Sequence, residues 1–162
     1  MYHSYHSCMK RYNNVRYTTC ADSLPLLYHP KPSASTARGD RPLCGKCRAP
    51  LITGHPINAS DANFRRFIDK SDLPVVVDFW ATWCGPCQQF APVYSQVADE
   101  MATQAVFLKL DTEANQQTAA TFQIRSIPTL MVFHHGAEIT RLSGALPRPQ
   151  LLQWLGQHLP KN

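Results

Sequence analysis

No stretch of this 162-residue chain approaches the ~18 consecutive apolar residues of a membrane span. Nor does a charged start lead into the ~7–15 residue apolar core of a secretory signal, so the protein is expected to stay in a reducing compartment, the cytoplasm. Acidic residues are scarce at the front. In the first fifty positions Lys10, Arg11, Arg16, Lys31, Arg38, Arg41, Lys46 and Arg48 face only Asp22 and Asp40, which places much of the net charge of +5 there. Such an arm suits nucleic acid or an anionic membrane by charge alone. The aromatic-interleaved motif of a nucleic-acid reader is missing, however, and a solvated arm is the simpler reading. A basic, acid-poor N-terminus also fits an organellar transit peptide. Sustained helical or strand periodicity is absent from residues 1 to about 43. Pro25, Pro30, Pro32 and Pro42, with Ser33-Ala34-Ser35-Thr36 between them, predict an irregular, mostly extended segment there.

Against these absences stand six cysteines, which in a reducing compartment argue for catalysis or metal rather than structural disulfides. Two of them lie in Trp83-Cys84-Gly85-Pro86-Cys87, directly after the apolar run Val75-Val76-Val77-Asp78-Phe79-Trp80-Ala81. An apolar, β-branched run followed by C-x-x-C and then a helical pattern reads as a strand delivering a dithiol to a helix N-terminus. Free backbone N–H groups and the positive end of the helix dipole stabilise a thiolate at Cys84, which starts the helix. Cys87, one turn further in, is close enough to form a disulfide with Cys84 yet shielded from solvent. Half a zinc site is the weaker reading, because Gly-Pro opens a helix and neither Cys nor His follows at ligand spacing. A purely structural disulfide also fits poorly, since so small a loop constrains the unfolded chain little.

Val77-Asp78-Phe79-Trp80 before this pentapeptide and Ser126-Ile127-Pro128-Thr129 after it complete a set of motifs that resembles a thioredoxin over roughly residues 55 to 158. The resemblance implies a central mixed β-sheet flanked by helices, an α/β fold. It also implies protein-disulfide reductase activity, with electrons supplied by an NADPH-dependent thioredoxin reductase and no cofactor bound for catalysis. A thioredoxin domain over 55–160 and a basic, Pro-rich arm over 1–53 follow, in a chain expected to work as a monomer on disulfide-containing proteins. Cys84, Cys87 and Asp78 take the catalytic roles. Trp83, Gly85, Pro86, Ile127, Pro128, Gly144 and Ala145 form the substrate rim, with the Ile127–Pro128 bond cis. Relatives that oxidise or isomerise disulfides usually carry a histidine between the cysteines, where this chain has Gly85-Pro86. A rival of another class is a zinc- or nucleic-acid-binding module that uses the thioredoxin domain as a scaffold.

Asp78 is the anomaly of its strand. A carboxylate among apolar neighbours loses hydration, so its pKa should rise. Its position matches the buried thioredoxin aspartate, which implies proton exchange with Cys87 through water. Lys109 matches a thioredoxin lysine near that aspartate, where an ammonium lowers the carboxyl pKa; snorkelling to solvent is the alternative.

Upstream, Cys44-Gly45-Lys46-Cys47 has the form of half a zinc ribbon. A second type of bacterial thioredoxin resembles this arrangement, with a short zinc module of two C-x-x-C pairs before the catalytic domain, and Ala49-Pro50-Leu51 through Pro56-Ile57-Asn58-Ala59 is similar to its link into that domain. The first pair is incomplete here: in Cys20-Ala21-Asp22-Ser23 a serine stands where a second thiolate would be. Cys20, Cys44 and Cys47 remain as candidate ligands of one structural zinc, with His29 or Cys8 as a fourth. The alternative is a degenerate module whose cysteines are free.

The remaining elements are expected as follows. Ser60 caps a helix to about Lys70 with Phe64, Phe67 and Ile68 on its buried face. Val75–Ala81 is the first strand, and the helix after Cys84, carrying Phe90, Val93, Tyr94 and Val97 with Pro92 inside it, reaches about Thr103. A strand over Ala105–Leu110 and a helix from about Ala114 to Phe122 complete a βαβ crossover. Leu130–Phe133 and Glu138–Leu142 make a hairpin around His134-His135-Gly136-Ala137. Adjacent strand residues point to opposite faces, so the two histidines should not share a metal and read instead as turn residues. A last helix, from Arg148 to about His158, buries Leu151, Leu152, Trp154 and Leu155.

Overall fold

The computed structural model describes residues 9–12, 15–18 and 54–160. It divides into Met1–Thr53 and Gly54–Asn162. In the first unit, β1 (Met9–Tyr12) pairs antiparallel with β2 (Val15–Thr18), Tyr12 opposite Val15 and Arg11 opposite Arg16. The expectation of an irregular segment is corrected at these positions. Tyr12, Val15, Tyr17 and Thr18 favour strand, and runs of four residues are too short to show a period. Cys8, Cys20, His29, Cys44 and Cys47, the candidate zinc ligands, lie outside the described residues.

The second unit is a five-stranded sheet in the order β3-β5-β4-β6-β7. Its strands are β3 (Ile57–Ala59), β4 (Val75–Trp80), β5 (Val106–Asp111), β6 (Thr129–His134) and β7 (Ala137–Ser143). β3, β5 and β4 run parallel, while β6 is antiparallel to β4 and β7 to β6. Five of the six β4 residues are buried, Val75 through Phe79, as a doubly covered central strand requires. Alternation divides them. Val76, Asp78 and Trp80 share one face, and Val75, Val77 and Phe79 the other.

On the Val76 face lie α2 (Gly85–Glu100) and α4 (Arg148–His158), through Phe90, Tyr94, Val97, Leu151 and Leu155. Leu152 and Trp154 are only partly buried, because Leu151 and Leu155 already take the contact side of α4. The Phe79 face receives α1 (Phe64–Lys70) and the chain just after α3 (Gln116–Thr121). There Phe64 meets Phe79, Phe122 and Phe133 at ring-centroid distances of 6.1, 5.2 and 5.8 Å.

Three local expectations change. Ser60 does not cap α1; its carbonyl accepts from the N–H groups of Asn63 and Phe64, and the Asn63 side chain accepts from the Ser60 N–H at 2.8 Å. A turn thus precedes a shorter helix, whose buried Phe64, Phe67 and Ile68 are those the spacing predicts. The link Pro56–Ala59 instead contributes β3, a three-residue edge strand too short to show an alternating pattern. Finally, α3 does not close a parallel crossover, because the strand after it, β6, pairs antiparallel with β4; the parallel neighbours β4 and β5 are joined through α2.

Candidate active site

Four residues lie between the end of β4 and the start of α2, and this short span is pinned from both sides. Thr112 donates its backbone N–H and its hydroxyl to the Trp80 carbonyl, at 2.9 and 3.1 Å. The Gln88 side chain donates to the Thr82 carbonyl at 2.6 Å, and the Cys84 N–H to the Ala81 carbonyl at 3.2 Å. Cys84 is the N-cap of α2, with extended backbone, and its Sγ accepts the Cys87 N–H at 3.2 Å. Pro86 sits in the first turn, where its missing N–H costs nothing. Pro92 lies inside the helix, as expected.

Cys84 and Cys87 are joined as a disulfide, with Cα atoms 5.2 Å apart. Both residues are buried, 4% and 2% exposed, in a small cluster with Ala81 against which Trp80 and Ile127 pack. In this oxidised form exposure barely separates the two sulfurs. What separates them is contact: Cys84 Sγ takes the backbone N–H, and lies 3.8 Å from the Ile127 carbonyl oxygen. A sulfur that accepts an amide N–H at a helix start is the better-stabilised thiolate once the disulfide opens.

Beside the sulfurs the Ile127–Pro128 bond is cis, as the resemblance implies. Gly144 adopts φ +104, a conformation that disfavours any side chain, and its N–H donates to the Pro128 carbonyl at 2.8 Å. Thr129 ties the same turn by donating its hydroxyl to the Ser126 carbonyl at 2.7 Å. Above this ground Trp83 is 68% exposed, the most open large apolar side chain of the described residues. Gly85, Pro86 and Ala145 are exposed as well, and Ile127 is half-buried.

Two residues before Trp80 on the same face of β4, Asp78 is 1% exposed, and neither carboxylate oxygen has a hydrogen-bond partner among the described residues. Burial pushes its pKa up to about 7, against the opposing charge of Lys109. Lys109 stands opposite Asp78 in the β4–β5 register, and its Nζ lies 4.4 Å from the centre of the Trp80 ring. It acts on the carboxylate through space, while its ammonium rests on an aromatic face rather than on the acid.

His135 is a turn residue, as the sequence reading favours, at φ +50, while His134 ends β6; the two rings lie with centroids 3.9 Å apart. The alternation argument fails there, although no group of three metal-binding side chains occurs among the described residues. Tyr94, read from sequence only as part of an apolar helical face, carries a hydroxyl that reaches the backbone of β4 and β5. Its periodicity resembles that of any core residue, so only its phenol oxygen marked it out.

A family model described as Thioredoxin matches residues 55–157. Thioredoxin C-3 of Corynebacterium nephridii is 48% identical over 118 residues, covering 73% of this chain and 81% of that protein. Thioredoxins of Haemophilus influenzae and Mycobacterium tuberculosis are 41% and 45% identical over 103 and 104 residues, each match covering 64% of this chain and 96% and 90% of the relatives.

Proposed function

The chain belongs to the thioredoxin family, and on that footing we propose how its residues divide the work. It is a thiol–disulfide oxidoreductase that reduces protein disulfides with the Cys84–Cys87 pair. The observation that carries this reading is the disulfide at the N-terminus of α2, with the Cys87 N–H aimed at Cys84 Sγ.

In the proposed cycle the reduced pair meets a substrate disulfide seated on Trp83, Gly85, Pro86, Ile127, Pro128, Gly144 and Ala145. The Cys84 thiolate attacks one substrate sulfur, the substrate S–S bond breaks, and a mixed disulfide forms. Cys87 then gives its proton to Asp78, attacks Cys84 Sγ, and expels the second substrate thiolate. Two electrons pass to the substrate and the intramolecular disulfide remains. A carboxyl group with a pKa near 7 suits that proton transfer, because it can hold or release a proton near neutrality. Lys109 keeps the pKa from rising further. Electrons return from an NADPH-dependent thioredoxin reductase, the chain acts as a monomer, and no bound cofactor takes part in catalysis. The test is insulin reduction. Wild type is expected to precipitate insulin in the presence of a dithiol reductant far faster than Cys84→Ser does; equal rates would refute the reading.

The finer assignment is a cytoplasmic thioredoxin of the zinc-binding second type. One zinc would be held by Cys20, Cys44 and Cys47 with His29 or Cys8 completing the set; three thiolates and an imidazole form an ordinary structural donor set. One relative's match extends upstream of the catalytic domain. It covers 118 residues of this chain, of which at most five can follow residue 157, so at least ten precede the 55–157 domain and reach the Cys44–Cys47 segment. No helix among the described residues is long and apolar enough to cross a membrane.

A further inference from the structure

Tyr94 is fully buried, its ring 5.8 Å from that of Phe90 and 5.5 Å from that of Phe107. Hydrocarbon would fill this part of the α2 face as well, and burying a phenol oxygen is costly unless it is bonded. Here it is bonded twice over. The hydroxyl lies 3.0 Å from the Val76 carbonyl on β4 and 2.9 Å from the Leu108 carbonyl on β5. One hydroxyl proton shared between carbonyls of neighbouring strands ties the helix to both strands at a single point.

The location of that point matters. Tyr94 follows Cys87 by two helical turns and so stands on the same side of α2. Val76 precedes Asp78 by two residues and so shares its face of β4, while Leu108 adjoins Lys109, the register partner of Asp78. The three elements joined by this hydroxyl are therefore the ones that carry the resolving cysteine, the buried acid and the modulating lysine. Burial, followed by the charge of Asp78, pushes the Tyr94 pKa up, so the phenol stays neutral and serves as a fixed tie rather than as an acid. The charged or titratable groups that interact with Asp78 among the described residues are Lys109 from β5 and Tyr94 from α2; β6 sets the apolar Leu130 opposite it.

We infer that Tyr94 is a positioning residue for the second half of the cycle: its hydroxyl locks α2 to the β4–β5 seam and thereby fixes the approach of the Cys87 sulfur to the Asp78 carboxylate. The inference rests on the proposed role of Asp78. In the step concerned the Cys87 S–H bond breaks, the proton passes to Asp78, the Cys87–Cys84 S–S bond forms, and the thiolate bound to Cys84 leaves.

The test separates the two half-reactions in the full-length, reduced protein. Dithiobis(nitrobenzoate) is mixed in, the reaction is quenched with acid, and mass spectrometry follows the Cys84 peptide, whose nitrobenzoate adduct forms in the first step and decays in the second. Tyr94→Phe is expected to leave adduct formation unchanged and to slow its decay at pH 7 by roughly three- to tenfold, the range that one net hydrogen bond commands. It should also displace the pH midpoint of the decay. Val97→Ala, which opens a cavity on the same helix face without touching the hydroxyl, should lower stability and leave the ratio of the two rates as in wild type. Decay as fast as wild type in Tyr94→Phe, equal slowing of both steps, or equal slowing of decay in Val97→Ala would overturn the inference. Asp78→Asn tells the two readings apart. Should Asp78→Asn slow decay while Tyr94→Phe does not, only the tyrosine inference fails; should Asp78→Asn leave decay unchanged, the base assignment fails and the inference with it.

Discussion

Asp78 loses its hydration on folding and gains no hydrogen bond from the described residues, and its pKa therefore climbs from 3.8 to about 7. Linkage fixes what this does to stability. Below the unfolded carboxyl pKa near ~4 both states are protonated and the residue costs little; between ~4 and 7 the unfolded chain ionises first, so stability falls as pH rises, and above 7 the loss is complete. Replacing the acid with Asn removes this dependence. Oxidised Asp78→Asn should gain stability over wild type at pH 8, by up to about 4 kcal/mol, and the gain should shrink toward zero at pH 4; urea unfolding at the two pH values measures it. Asp78 was legible in the sequence, because a single carboxylate within Val75–Ala81 has no inexpensive structural explanation. Tyr94 was not, because at helical spacing a tyrosine and a phenylalanine give the same periodic signal, and the carbonyls that its hydroxyl finds belong to residues 18 and 14 positions away.

At the scale of elements, β4 to β7 appear within one residue of their expected limits and α4 matches at both ends, while α1 begins four residues later and α2 ends three residues earlier than expected, each where a turn takes over. The misses are short or belong to turns. β3 has three residues, and it is a strand because β5 offers it a parallel edge. The β6–β7 turn falls where it was expected: alternation stops where φ turns positive, at His135 and then at Gly136, whose φ is +80. Gly136 also donates its N–H to the Ile68 carbonyl at 2.8 Å, which fastens the hairpin to the end of α1. A Cβ at this glycine would lie 2.8 Å from Asp69 Oδ1, the far end of a side chain that can move aside, so most of the cost comes from the backbone. Gly136→Ala is expected to lower stability by about 1–2 kcal/mol without changing insulin reduction, as measured by denaturant unfolding beside the activity assay.

At the scale of the whole molecule, the core clusters described for this chain and all the described residues of the proposed cycle fall within Gly54–Asn162. A chain shortened to residues 54–162 should therefore keep the insulin-reduction rate of the full chain within about twofold and bind no zinc, whereas the full chain should yield one zinc on metal analysis. A large fall in rate on shortening would give the basic arm a part in catalysis, and absence of zinc from the full chain would make its cysteines a vestige. Two things were determined by the amino-acid order alone: the dithiol, because two cysteines three residues apart at the start of a helix can always find each other, and the apolar strand that leads to them. Such short-range geometry depends on backbone dihedrals and side-chain period, which any reader of the sequence possesses. Tertiary structure decided what surrounds that dithiol. The Ile127 carbonyl at Cys84, Lys109 opposite Asp78, and the Tyr94 hydroxyl bridging two strands all join residues far apart in the chain. Pairings of that kind are set by the packing of the sheet and its helices, and no local pattern records them.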